Sequence, residues 1–533
     1  MVGSNSGFMK KLVLLSILAC LLFSCVGKNE LKKPSPKDIP ISNLSGRELA
    51  QIHCARCHAF VPPSYLSKAI WKTDVLPSMG NRLGIYNGSG QPDSIFGPPQ
   101  NRVIIQKANI FPEEPLLAKA DWMKLVAYYV ENALDTITPP IHEKKIKIGL
   151  KHFKYKEASY NNRPPLTTLV KILPNKRGIV FGDGKDRKNV LTYLTSDLKL
   201  DYNLMLRESP INYHEKSDTL FLTTIGRNLF PNNLSHGKVH KIVYDKKKNK
   251  NINPKLLISN LQRPVAMGYG DLDNDGLEDV VACEFGDLTG KLVWYKNDGS
   301  NNYTSNILNT KPGAISAIIK DYNNDGLNDI FVLMSQGDEG IFYYENQGNG
   351  IFNEKRLLSF LPLYGSQYME LVDFNNDGFD DIIYVSGDNA DKTPVLKDYH
   401  GVYIFLNDGE LNFQQAYFYQ QNGAYKAMPR DFDLDGDLDI AAISYFPDYR
   451  SYPEESFVYL ENKGDLTFEA FSFPESTKGR WIVMDAEDMD DDGDIDIALG
   501  SNVNFLAKDD TTGLSKKWLK ESPSIIILEN TTK

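Results

Sequence analysis

The first residues able to do chemistry are His53, Cys54, Cys57 and His58, in the stretch His-Cys-Ala-Arg-Cys-His. Two cysteines at this spacing suit half a zinc site, a redox dithiol or the covalent anchor of a haem. A zinc site needs further Cys or His ligands nearby, and the chain has no second cysteine pair. The residue directly after Cys57 is His58, which completes Cys-x-x-Cys-His, the attachment signature of a c-type haem. Two thiols so spaced add to two vinyl groups on one porphyrin edge, and the next histidine falls under the iron as an axial ligand. His53 has no such assignment and reads as a helix residue.

The elements that must position these groups can be read from the flanking sequence. A helix is expected over "SGRELAQIHCARCH", then a loop rich in turn residues, "WKTDVLPSMGNRLG", then a periodic helix, "LAKADWMKLVAYYVENAL". A second axial ligand is sought among the methionines. Met79 lies in the loop, whereas Met123 lies in the helix, where core packing is its ordinary role. The stretch resembles a class I cytochrome c, with the motif on a first helix, a Trp-to-Met loop and a closing helix carrying Trp122, Tyr128 and Tyr129. That resemblance implies that the last helix crosses the first, and that a carbonyl of Pro62 or Pro63 orients His58. It makes Met79 the second ligand, hence one covalently bound haem c devoted to electron transfer.

Upstream, "MKKLVLLSILACLLFSC" pairs two lysines with an apolar run that ends at Cys25. It resembles a bacterial lipoprotein signal, with Cys25 as the lipidated residue, and the run is too short to cross a bilayer. This implies residence in the bacterial cell envelope, in the outer membrane or periplasm, with the membrane touched only through the lipid anchor. Removing the signal leaves Cys54, Cys57 and Cys283, which make no disulfide framework. Residues 26–45 read as a flexible tether, 46–133 as the cytochrome domain and 134–148 as a linker.

From residue 149 to 533 the pattern becomes repetitive. Five acidic segments begin at Asp271, Asp321, Asp373, Asp431 and Asp488, at intervals of 50, 52, 58 and 57 residues. Each is followed by an aromatic strand ending in Asn297, Asn346, Asn407, Asn462 or Asn530. An EF-hand loop would close with Glu at position 12, and those positions hold the apolar Ala282, Val332, Tyr384, Ala442 and Leu499. The closing carboxylate is instead at position 9. Hard oxygen ligands are therefore expected at positions 1, 3, 5 and 9, with the backbone carbonyl of position 7. The sets are Asp271, Asp273, Asp275, Leu277 and Asp279; Asp321, Asn323, Asp325, Leu327 and Asp329; and Asp373, Asn375, Asp377, Phe379 and Asp381. The last two are Asp431, Asp433, Asp435, Asp437 and Asp439, and Asp488, Asp490, Asp492, Asp494 and Asp496. About five Ca²⁺ ions would offset the net charge of −10, which in turn argues against nucleic acid as a partner.

These segments resemble the FG-GAP/VCBS repeats of integrin-like β-propellers. With two further strand-rich units, near 160–205 and 206–262, they imply seven blades. The fold class expected is thus multidomain, a small all-α domain followed by an all-β propeller. The last blade lacks a fourth strand, which 150–160 is expected to supply. Long loops at 386–400, 444–456 and 502–521 lie between second and third strands, on the face opposite the acidic loops, and are expected to stay free for binding.

The function expected is an exported, membrane-anchored electron carrier. A redox partner protein takes its electrons, and the propeller docks a protein or glycan. Two alternatives stay open. One is a haem-coupled oxidoreductase with its substrate site on the propeller, so catalysis itself is left undecided. The other is an adhesion or glycan-binding lipoprotein in which haem is sensory or structural.

Overall fold

The computed structural model describes residues 39–87, 91–138, 145–185, 188–227, 229–245, 250–388, 395–504 and 511–532. Cys25 and most of the tether lie outside the described residues. Among the described residues no helix is long and apolar enough to cross a membrane.

The helical region begins with α1 (Gly46–His53), started by a reciprocal cap. Ser45 Oγ accepts the Glu48 amide at 3.3 Å, and Glu48 Oε2 accepts the Ser45 amide at 2.8 Å. A helical run follows from Lys68 through a π-turn, Trp71–Val75, into α2 (Leu76–Arg82). The expected Trp-to-Met loop is therefore helical, because Trp71 and Leu76 are both buried and hold it on the core. Next come α3 (Pro99–Lys107) and α4 (Lys119–Asn132). As expected, the last helix packs on the first, through Leu49, Ala50, Leu125 and Tyr129. Gly46 permits the close approach, since a Cβ there would lie 2.2 Å from the Lys124 carbonyl.

Seven four-stranded antiparallel units make up the rest of the molecule. Blade 1 spans 167–206, blade 2 210–261, blade 3 264–309, blade 4 314–359, blade 5 366–420 and blade 6 424–472. Blade 7 takes its strands A to C from Trp481–Glu487, Asp496–Ser501 and Ile525–Asn530, and its strand D from Phe153–Glu157. Phe153 pairs with Asn530 and Glu157 with Ile526, antiparallel, so the segment before blade 1 closes the ring as the unpaired third strand required. Blade 6 gains an outer strand, Lys147–Ile148, which pairs parallel with Phe468–Ser472. Strand B is buried along its whole length in every blade but blade 2, because both of its faces meet neighbouring blades, which explains runs such as Asp329–Met334 with no exposed residue.

The acidic segments are the A–B connections, and the long loops are the B–C connections on the opposite face. That opposite face is not free. Tyr65 packs against Tyr399 of the blade 5 B–C loop, with ring centroids 6.0 Å apart. Leu363, in the D–A turn before blade 5, joins the core of the helical domain. The Asn233 amide in the blade 2 B–C loop donates to Asn101 Oδ1 at 3.3 Å. The helical domain thus sits on the B–C face. The 502–521 segment contains α5 (Leu514–Glu521), whose Trp518 is buried and donates from Nε1 to the Thr477 carbonyl at 2.8 Å. Tyr399 and Trp518 thus seat the described residues around them against neighbouring parts of the molecule.

Candidate functional site

Cys54 caps the C-terminus of α1, and Cys57 and His58 follow in the next turn. Residues 54–57 form the turn after α1, so the two thiols and the imidazole lie in one short stretch of backbone. Cys54 packs on the core beside Tyr129, and burial pushes its thiol pKa up. Cys57 is exposed, and neither thiol is in a disulfide. His58 Nδ1 lies 2.8 Å from the Ala59 carbonyl. A carbonyl only accepts, so Nδ1 carries a proton, and in the neutral imidazole Nε2 is the ring nitrogen left to bind a metal. The carbonyl that orients His58 is therefore Ala59, not Pro62 or Pro63. Pro63 instead accepts Trp71 Nε1 at 2.8 Å, and Pro62 accepts the Tyr65 amide at 3.2 Å.

Met79 is half-buried on α2, and Met123 is 63% exposed on α4 rather than packed in the core. Two thiols, an imidazole with a free Nε2 and a half-buried thioether form a donor set that suits a covalently held haem. A surface cavity of about 620 Å³ runs along 106–116 and is not lined by any of these four groups.

The five acidic loops share one backbone course. Position 4 is left-handed at Asn274, Asn324, Asn376, Leu434 and Asp491, with φ between 57° and 60°. Position 6 is Gly with φ between 83° and 97°, where a side chain would be strained. The position 1 carboxylate accepts the position 6 amide in every loop, at 2.7 Å for Asp271 and 3.0 Å for Asp321. Oxygen atoms of Asp271, Asp273 and Asp279 lie within 4.8 Å of one another, as do those of Asp431, Asp433 and Asp435, and those of Asp488, Asp490 and Asp492. Buried Asp273 Oδ1 and Asp433 Oδ1 have no hydrogen-bond partner, so oxygen lone pairs are left over in these loops.

Position 9 has a second job that the spacing did not announce. Its Oδ1 accepts the amide of the strand C asparagine in all five blades, at 2.7 to 2.9 Å. Its Oδ2 accepts the position 2 amide in blades 3, 4, 5 and 7. These bonds leave part of the carboxylate's acceptor capacity for a cation. Burial pushes Asp439 up to about 7 and Asp496 up to about 6 when no cation is present. The recurrent strand C asparagines, visible in the sequence without a role, donate from Nδ2 to the position 8 carbonyl of their own blade. A third group also escaped the sequence: His152, Asp433 and Glu461 offer ligand atoms within 4.8 Å of one another, beside the blade 6 loop.

The FG-GAP-like repeat family matches residues 271–332 and 321–384. A T-cell immunomodulatory protein homolog from Plasmodium falciparum is 26% identical over 262 residues, 45% of this chain and 34% of that protein. The chain therefore spans about a third of that relative's length. Among solved structures, the N-terminal domain of Nup159 is 13% identical, covers 72% of this chain and 98% of its own, and superposes with a TM-score of 0.41. A 6-phosphogluconolactonase-like structure from Bacteroides uniformis is 9% identical, covers 56% and 82%, and gives 0.39. On the matched repeats and the strand order, this chain carries FG-GAP-like repeats within a seven-bladed all-β propeller.

Proposed function

We propose that this protein is an exported c-type haem electron carrier, lipid-anchored through Cys25 in a bacterial envelope, with a calcium-stabilised propeller that engages its partner. The observation carrying this reading is the single turn holding Cys54, Cys57 and His58, with His58 Nδ1 committed to the Ala59 carbonyl at 2.8 Å. A haem bound there would supply one-electron chemistry at the iron. Cys54 and Cys57 would hold it covalently, and His58 Nε2 and Met79 would be its iron ligands. Ala59 fixes the imidazole's tautomer, and the core around Trp71 and Tyr129 keeps water from the Cys54 side. In the propeller, the position 1, 3, 5 and 9 oxygens would hold about five Ca²⁺. The cation's part would be to relieve repulsion among carboxylates.

A second reading has its own observation. The helical domain sits on the B–C face of the propeller, so a substrate bound there would lie beside the domain that accepts electrons. The same protein would then be a haem-coupled oxidoreductase. Expression in a host competent for cytochrome c maturation tests both. One haem resistant to acid-acetone extraction, lost in the Cys54→Ala/Cys57→Ala variant, is the expected result. Full haem retention by that double variant overturns it. Substrate-driven reduction of the haem, without a partner protein, would select the enzyme reading over the carrier.

A further inference from the structure

Beside the blade 6 acidic loop stands a donor set of a different kind. His152, Asp433 and Glu461 each bring a ligand atom within 4.8 Å of the other two. They come from three parts of the fold. His152 directly precedes Phe153–Glu157, the strand that closes the ring. Asp433 is position 3 of the acidic loop, and Glu461 is the residue before Asn462 at the end of blade 6 strand C. Among the described residues, the ligand groups at the other acidic loops contain carboxylates only.

Glu461 is 4% exposed, and Asp433 Oδ1 is buried without a hydrogen-bond partner. Two carboxylates this close disfavour each other's ionised state unless a cation joins them. Blade 3 meets the same need from its own sequence: Lys296, the residue matching Glu461, pairs with Asp273 at position 3. Blade 6 puts a carboxylate there instead. Lys463 Nζ lies 2.5 Å and Lys151 Nζ 3.9 Å from Glu461 Oε1, and both lysines reach solvent, so they are free to swing aside. Among the described residues Asp433 has no lysine or arginine partner. The imidazole is already held in place. His152 Nδ1 lies 3.2 Å from the Thr532 hydroxyl, and its carbonyl accepts the Thr531 amide at 2.7 Å.

The donor atoms select the ion. Calcium takes oxygen ligands, whereas an imidazole nitrogen with two carboxylates suits zinc and its neighbours, with a fourth position left for water. Asp433 has two oxygens, so it can serve calcium in its loop and a second ion here.

We propose that His152, Asp433 and Glu461 form a site for a divalent ion of the zinc class, separate from the calcium loops. The ion ties the strand that closes the ring to blade 6. Neither haem nor the electron-carrier reading enters into this assignment.

The test is a calorimetric titration with ZnCl₂ of the full-length protein in saturating CaCl₂. The Cys54→Ala/Cys57→Ala background removes the thiols as competing zinc ligands. Zinc is expected to bind and to raise the melting temperature of the propeller. His152→Gln should weaken that binding by more than about tenfold and cancel the thermal shift. It should melt like its parent in calcium alone and keep the same calcium stoichiometry. Glu461→Gln should weaken zinc binding in the same way, and it decides the matter if His152→Gln fails to fold. Zinc affinity unchanged in these variants, or no zinc binding by the parent, would overturn the proposal. Displacement of the zinc by excess calcium would also overturn it, because the trio would then be part of the calcium loop.

Discussion

Asn346 Nδ2 lies 2.8 Å from the carbonyl of Leu272, which belongs to the preceding blade. The same amide reaches the Asn328 carbonyl of its own blade at 2.9 Å, so one side chain stitches two blades together. Asn530 repeats this around the closure, donating to the Phe432 carbonyl at 2.7 Å and the Ile495 carbonyl at 3.2 Å. Both asparagines are almost fully buried. Replacing either by Ala leaves buried carbonyls without a donor, at about 1–3 kcal/mol each. Asn346→Ala and Asn530→Ala should lower the denaturation midpoint at constant m-value. Unchanged midpoints in both would remove the inter-blade role.

Leu434 occupies the left-handed position that Asn fills in three of the other loops, at φ 60°, and its side chain is 39% exposed. A branched apolar residue gains nothing there and strains the backbone. Leu434→Asn should raise stability by roughly 1 kcal/mol, read as a higher melting temperature in calorimetry. A lower melting temperature would show that the side chain contributes packing.

Calcium should govern how the propeller responds to pH. Without the ion, Asp439 is held near 7 and Asp496 near 6 by burial, both above the ordinary carboxylate value. The native state then binds more protons than the unfolded chain between about pH 4 and 7, so stability falls as pH rises through that window. In chelator, acidification from pH 7.5 to 5.5 should therefore raise the propeller's melting temperature. With Ca²⁺ the ionised forms are held, stabilisation is about 2.7 kcal/mol per site at a hundredfold excess over Kd, and acidification should lower the melting temperature instead. The same slope with and without calcium would count against cation binding by these carboxylates.

The helical domain should come away from the propeller when its seat is altered. Leu363 joins the domain's core and Tyr65 meets Tyr399 at 6.0 Å. Leu363→Asp together with Tyr65→Ala should leave both parts folded but speed proteolytic cleavage within 134–148. No change in cleavage would mean that other contacts hold the seat.

Replacing 502–521 by a short Gly/Ser turn should destabilise blade 7, contrary to what a decorative loop would do. Trp518 is 3% exposed and packs 4.9 Å from the Tyr449 ring. Losing a buried Trp costs about 3–5 kcal/mol. A replacement as stable as the parent would return this segment to the status of decoration.

The five-fold spacing of acidic loops, the seven units and the donated strand at 153–157 were all legible, because strand propensity and loop chemistry are local and repeat in register. The helical course of the Met79 segment was not, since the turn-forming Pro77, Ser78 and Gly80 are overruled by burial of Trp71 and Leu76.

Sequence alone therefore determined the five repeated acidic loops and that the ring closes by its two ends. Only the tertiary structure decided that Asn346 and Asn530 bridge blades, that Ala59 orients His58, and that the helical domain covers the B–C face. Each of these depends on groups far apart in the chain or on one carbonyl among several. Local pattern carries no record of which distant surface a packed domain will choose, because that choice is made by the summed burial of both surfaces.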